Sequence, residues 1–132
     1  MAVPVCFARV RDNGQGGDQE TVEALNAQTG EPFWKQAATV NYKGTFNPNN
    51  GPIAIPLIHK NRVYTFGVAG RLQCLDFKTG KKIWGQSREM PELGRYDHVA
   101  AAPANPTPTT NGKTVLFYFD DYGLIATDLN GA

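Results

Sequence analysis

Two stretches of this chain align without a gap, 50 residues apart: Ala24-Leu-Asn-Ala-Gln-Thr-Gly-Glu-Pro-Phe-Trp34 and Cys74-Leu-Asp-Phe-Lys-Thr-Gly-Lys-Lys-Ile-Trp84. A third copy opens at Ala126-Thr-Asp-Leu-Asn-Gly131, lacks one turn residue and stops before a tryptophan would come. The text upstream repeats as well, with Pro56-Leu-Ile-His-Lys-Asn-Arg-Val-Tyr64 matching Pro108-Thr-Thr-Asn-Gly-Lys-Thr-Val-Leu116 at an offset of 52. A repeat of this period constrains the fold strongly. Each copy is one supersecondary unit that buries its apolar face only against the next copy.

Within the middle unit the strands follow from residue type. Ile53 to Ile58 is a short apolar run, and His59 to Arg62 reads as a turn. Val63 to Phe66 is β-branched and aromatic, as a strand prefers. Gly67 to Gly70 turns again, Arg71 to Phe77 alternates, Lys78 to Gly80 turns, and Lys81 to Gln86 carries Trp84. Four short antiparallel strands per repeat make a propeller blade. The same template gives three strands before this unit (Val3 to Arg11, Val22 to Asn26, Pro32 to Ala37). It gives three after it, near Pro106 to Thr110, Thr114 to Asp120 and Leu124 to Leu129. The expected fold is all-β: a partial β-propeller of about three four-stranded antiparallel blades, the first and last incomplete. The repeats fall near 3–44 (lacking the inner strand), 52–94 (complete) and 103–132 (lacking the outer strand). Fourteen Gly and nine Pro suit the many tight turns, and no helical period interrupts the pattern.

Each motif position has a mechanical task. Asn26, Asp76 and Asp128 are placed to accept hydrogen bonds from turn amides. Gly30, Gly80 and Gly131 supply positive φ. Trp34 and Trp84 offer flat surfaces to wedge between blades, and Ala24, Cys74 and Ala126 are small where sheets approach closely. The unit from Asn61 to Trp84 resembles the tryptophan-docking repeat of the pyrroloquinoline-quinone (PQQ)-type propeller family, and Glu23 to Gln86 resembles its BamB-type outer-membrane assembly members. Kelch units want paired glycines before their second aromatic strand, and WD40 units want Gly-His and Trp-Asp pairs. Here Gly16-Gly17 occurs once, in a loop, and the WD40 pairs do not occur.

Candidate chemistry is sparse. His59 reads as a solvated turn residue and His98 lies in the connection Arg95-Tyr-Asp-His98, far away in the repeat. No His/Cys/Asp spacing suits a metal, and no Gly-x-Ser-x-Gly or phosphate loop occurs. Gly14-Gln-Gly-Gly17 reads as a hairpin loop, and Asp120-Asp121 before Tyr122-Gly123 as a turn rather than a calcium site. Cys6 and Cys74 allow one disulfide at most and read as buried free thiols. No catalytic, cofactor-binding or metal-ligating residue is expected. Propeller ligands usually meet the face where inter-blade connections join the loops between second and third strands, a fold-level analogy. Here that face collects Lys43, Asn47, Asn49, Arg95, Tyr96, Asp97, His98 and Asp121.

Thirteen basic against twelve acidic residues leave a net charge of +1, so nothing points to nucleic acid. No apolar run is long enough to span a bilayer, and the opening Met1-Ala-Val-Pro-Val-Cys-Phe lacks the layout of a secretory signal. The resemblance implies a non-catalytic protein-binding or scaffold module in a BamB-like assembly role, with protein partners in the periplasm or cell envelope. Its alternative is a segment of a PQQ-dependent quinoprotein dehydrogenase. That class carries an adjacent-cysteine disulfide and a stacking tryptophan, whereas this chain has no adjacent cysteines and its tryptophans occupy docking positions. An open run of blades also exposes a sheet face at each end, so self-association or docking of further blades is expected.

Overall fold

The computed structural model describes residues 4–12, 18–40, 54–67, 70–88, 107–119 and 123–132. Among them every regular element is a strand: β1 (Pro4–Asp12), β2 (Asp18–Asn26), β3 (Pro32–Val40), β4 (Leu57–His59), β5 (Arg62–Phe66), β6 (Arg71–Asp76), β7 (Lys82–Ser87), β8 (Thr109–Thr110), β9 (Thr114–Phe119) and β10 (Gly123–Asp128). They form three antiparallel sheets of consecutive strands, β1-β2-β3, β4-β5-β6-β7 and β8-β9-β10. These are three successive blades of a propeller, as the repeat requires.

Several strand bounds differ from the sequence expectation: β2 begins at Asp18 rather than Val22, β3 runs to Val40 rather than Ala37, and β4 and β8 begin at Leu57 and Thr109. His59 belongs to β4 and pairs with Arg62, so the β4–β5 turn shrinks to Lys60 and Asn61. Both take positive φ, 46° and 60°. A two-residue hairpin needs that pair of conformations because its twist then matches the flanking strands. The expectation of a four-residue turn overlooked the tolerance of asparagine for this region.

The middle sheet is buried on both faces, and strand alternation divides its side chains between two cores. Val63 and Leu75, opposite one another across β5 and β6, meet Val22 and Ala24 of the first sheet. Tyr64, Phe66, Leu72 and Cys74 point the other way, onto Val115 and Phe117 of the third. Phe66 and Phe117 meet edge-on, 5.9 Å apart. Fully burying an aliphatic side chain of this kind contributes about 1.5–3 kcal/mol. Cys74 is free and buried, as expected for a small packing residue. Ala24 is buried in the same way, whereas Ala126 is exposed because no described sheet covers its side of the third blade.

Each tryptophan reaches across to the next blade. Trp34 Nε1–H donates to the Phe77 carbonyl at 2.9 Å, and Trp84 Nε1–H donates to the Leu129 carbonyl at 3.0 Å. The receiving turns are built alike. Asp76 Oδ1 accepts from the amides of Lys78 and Thr79 (3.0 and 2.8 Å), and Asp128 Oδ1 from those of Asn130 and Ala132 (2.8 and 3.0 Å). Gly80 and Gly131 follow with φ of 71° and 87°. A Cβ on Gly80 would lie 2.9 Å from Trp34 Cγ, and one on Gly131 would lie 2.6 Å from Trp84 Cδ2. Glycine is required there twice over, for its backbone and for the ring lying on it.

The same turn in the first blade separates these two requirements. Gly30 has φ of 76°, but a Cβ there meets nothing within 4 Å among the described residues. Gly30→Ala should lose only the left-handed penalty, about 1–2 kcal/mol. Gly80→Ala should lose that and a further ~1–3 kcal/mol for overpacking against the indole. Denaturant unfolding of the two variants checks this, and equal losses would contradict it.

The turns also differ in their response to acid. Amide donors, chiefly that of Thr79 for Asp76 and that of Ala132 for Asp128, hold both carboxyls below the ordinary value of 3.8. A carboxylate depressed in the folded state stabilises it fully above the unfolded value. That contribution is lost as pH falls through the folded value. The first turn uses the Asn26 amide oxygen instead, accepting from Gln28 and Thr29 at 2.8 and 3.2 Å. Amide NMR signals of Thr79 and Ala132 should therefore titrate below pH 3.8 while those of Gln28 and Thr29 stay in place. All three turns moving together would refute this account.

Candidate functional site

A cleft of about 320 Å³ opens between the first and second blades. One wall is β3, through Gln36, Ala37 and Ala38, with Glu20 of β2 beside it. The other is β6 and β7, through Arg71, Gln73, Leu75, Lys82, Gln86 and Ser87. Strand alternation explains the wall on β2 and β6. Glu20 shares a face with Val22 and Ala24, which pack on the second blade, and Arg71 and Gln73 share a face with Leu75, which packs on the first.

Glu20 is the distinctive member. It is 8% exposed, and its carboxyl lies over Gly67, where an added Cβ would come within 2.6 Å of Glu20 Cδ. The lining runs along the second sheet from Arg71 and Ser87, at its β5–β6 turn end, to Leu75 and Lys82 at the other. The walls carry both charge signs and the side-chain amides of Gln36 and Gln73, which both donate and accept hydrogen bonds, while the Gln86 amide is turned to the third blade and donates to the Gly131 carbonyl. Such a lining suits recognition of polar, hydrogen-bonding groups. Among the described residues no cluster of three or more His, Cys, Asp or Glu side chains could hold a metal ion.

The sequence-derived loop set of Lys43, Asn47, Asn49, Arg95, Tyr96, Asp97, His98 and Asp121 lies outside the described residues, as does Asp120. His59 is not a solvated turn residue. It ends β4, and its Nε2 is buried with no hydrogen-bond partner among the described residues. Its ring faces the third blade, with Cε1 4.0 Å from where a Cβ on Gly112 would stand. The Cys74 thiol is pushed above its ordinary pKa by burial, and the Tyr64 hydroxyl is raised for the same reason, so neither is primed as a nucleophile. Glu20 was missed from sequence, yet it carried a signal: a carboxylate two residues before Val22 and four before Ala24 breaks an apolar strand face.

PQQ is the cofactor that the dehydrogenase branch of this repeat would imply, and the described residues do not fit it. Both tryptophans are held by their indole N–H bonds, each with one ring face against a turn glycine of the next blade, Gly80 or Gly131, so they serve as inter-blade anchors. Cys74 is a single buried thiol, not half of a disulfide.

Solved structures share this architecture. The chain is 20% identical to BamB from Moraxella catarrhalis, with a TM-score of 0.62 over 99% of this chain and 36% of that one. It is 18% identical to the quinohemoprotein alcohol dehydrogenase of Comamonas testosteroni, with a TM-score of 0.54 over 96% of this chain and 20% of that one. The computationally designed Ika8 protein is 13% identical, with a TM-score of 0.51 over 93% of this chain and 32% of that one. At these identities the likeness concerns the fold, and the chain spans well under half of each structure. No curated protein matches the chain. The family model described as outer membrane protein assembly factor BamB matches residues 14–132, and the chain therefore belongs to this family of PQQ-like-repeat β-propellers.

Proposed function

We propose that the chain is a non-catalytic, protein-binding scaffold segment, working in assembly at the bacterial envelope. The observation that carries this reading is the cleft between the first two blades. The Gln36 and Gln73 side chains on its walls match the paired donors and acceptors of a peptide backbone, and Arg71 and Glu20 add opposite charges that select register. The motif residues support it from the other side. Asp76, Asp128, Trp34 and Trp84 are engaged in turns and blade docking, which leaves them no part in chemistry. The family match and the likeness to BamB favour the assembly role and an envelope setting.

The likeness to the alcohol dehydrogenase favours a second reading, a segment of a quinoprotein. The seating of both indoles speaks against it.

Two measurements separate the readings. A photo-crosslinking residue at exposed Ser87, on the lip of the cleft, should give discrete protein adducts in bacterial cells, and Arg71→Ala should reduce them at least several-fold. PQQ with calcium added to the purified protein should leave its visible absorbance equal to that of the free mixture. Adducts indifferent to Arg71→Ala would refute the cleft as the binding site. A saturable new absorbance would overturn the non-catalytic reading.

A further inference from the structure

An asparagine followed by glycine loses ammonia readily, because no Cβ on the glycine hinders the approach of its nitrogen to the asparagine Cγ. The chain holds four such pairs, beginning at Asn13, Asn50, Asn111 and Asn130. Asn111-Gly112 and Asn130-Gly131 lie among the described residues, and their side chains are held in different ways.

Asn111 is held by backbone. Its Oδ1 accepts from the amides of Lys113 and Thr114, both at 2.9 Å, and the Gly112 N–H donates to Thr110 Oγ1 at 3.0 Å. Closing a ring between Asn111 Cγ and the Gly112 nitrogen turns the side chain off both amides, and backbone donors cannot follow it. Asn130 is held by a side chain. Its Oδ1 accepts from Arg62 Nη1 at 3.1 Å. A guanidinium on a flexible stem follows that oxygen as it moves, polarises the carbonyl and faces the negative charge that grows there during attack. The Gly131 N–H makes the longest bond of its turn, 3.2 Å to the Asp128 carbonyl, so its release costs the turn least. Asn130 is exposed, as Gln28 and Lys78 are in the corresponding turns, so water reaches it.

We propose that Asn130 is a deamidation site promoted by Arg62, and that its isoaspartyl product unseats Trp84. The Gly131 nitrogen bonds to Asn130 Cγ, the Cγ–Nδ2 bond breaks, and the amide nitrogen leaves as ammonia with the proton that Gly131 gives up. Water then opens the five-membered imide. Opening at the side-chain carbonyl leaves aspartate, and opening at the main-chain carbonyl leaves isoaspartate, whose path to Gly131 is one methylene longer. Trp84 Cδ2 stands 2.6 Å from where a Cβ on Gly131 would be, and the indole N–H donates to the Leu129 carbonyl. A longer backbone between those two residues moves the glycine and the carbonyl apart, and the ring cannot meet both. The site is separate from the cleft and does not depend on it.

The full chain, held at mildly alkaline pH in heavy-oxygen water and mapped by mass spectrometry, should take up label at residue 130 at least tenfold faster than at residue 111. Arg62→Gln should slow uptake at 130 several-fold and leave 111 unchanged. In the isoaspartyl fraction, separated by ion exchange, the Trp84 indole N–H signal should shift while that of Trp34 stays. Asn130→Asp supplies the charge without the extra methylene and should leave both signals in place. Equal labelling at 111 and 130, or labelling at 130 indifferent to Arg62→Gln, would overturn the assignment of the site. An unmoved Trp84 signal in the isoaspartyl fraction would overturn the unseating. If Arg62→Gln fails to fold, the ratio of labelling at the two asparagines still decides it.

Discussion

Everything in this molecule hangs on one contact made twice: an indole from one sheet laid flat on a glycine of the next and tied by its N–H to that turn. Trp34 and Trp84 make it in successive blades with bonds of 2.9 and 3.0 Å. Each ring lies where a Cβ on the turn glycine would stand, so the contact needs glycine at that position. The cores fill the space between sheets, with Val63 and Leu75 on one side of the middle blade and Tyr64, Phe66 and Leu72 on the other.

The two junctions are not equivalent. The Leu129 carbonyl accepts from Arg62 and Tyr64 as well as from Trp84, at 2.5, 3.4 and 3.0 Å, and Gln86 Nε2–H donates to the Gly131 carbonyl. The Phe77 carbonyl accepts the Trp34 indole. The cleft that Glu20, Arg71 and Gln73 line lies at the first junction.

The strand order, the turns and the anchors were legible because they depend on short-range chemistry. Asn26, Asp76 and Asp128 bond amides two to four residues ahead, and the left-handed glycines follow them in the same turns. His59 was misread because its surroundings come from the third blade, dozens of residues later. Thr127 poses the same difficulty. It occupies the register position of Leu75 in a buried interface, and its hydroxyl has no partner among the described residues.

The sequence by itself determined the period, the antiparallel order and the residues that join one blade to the next, because a repeat writes the same local requirement each time it occurs. Tertiary structure alone decided which turn meets which ring among the described residues. Gly30 and Gly80 sit in turns of the same local design, yet one is exposed and the other lies under an indole contributed by a different sheet. The cleft has the same origin. Its walls come from two blades, and neither wall's sequence records how far the other stands from it.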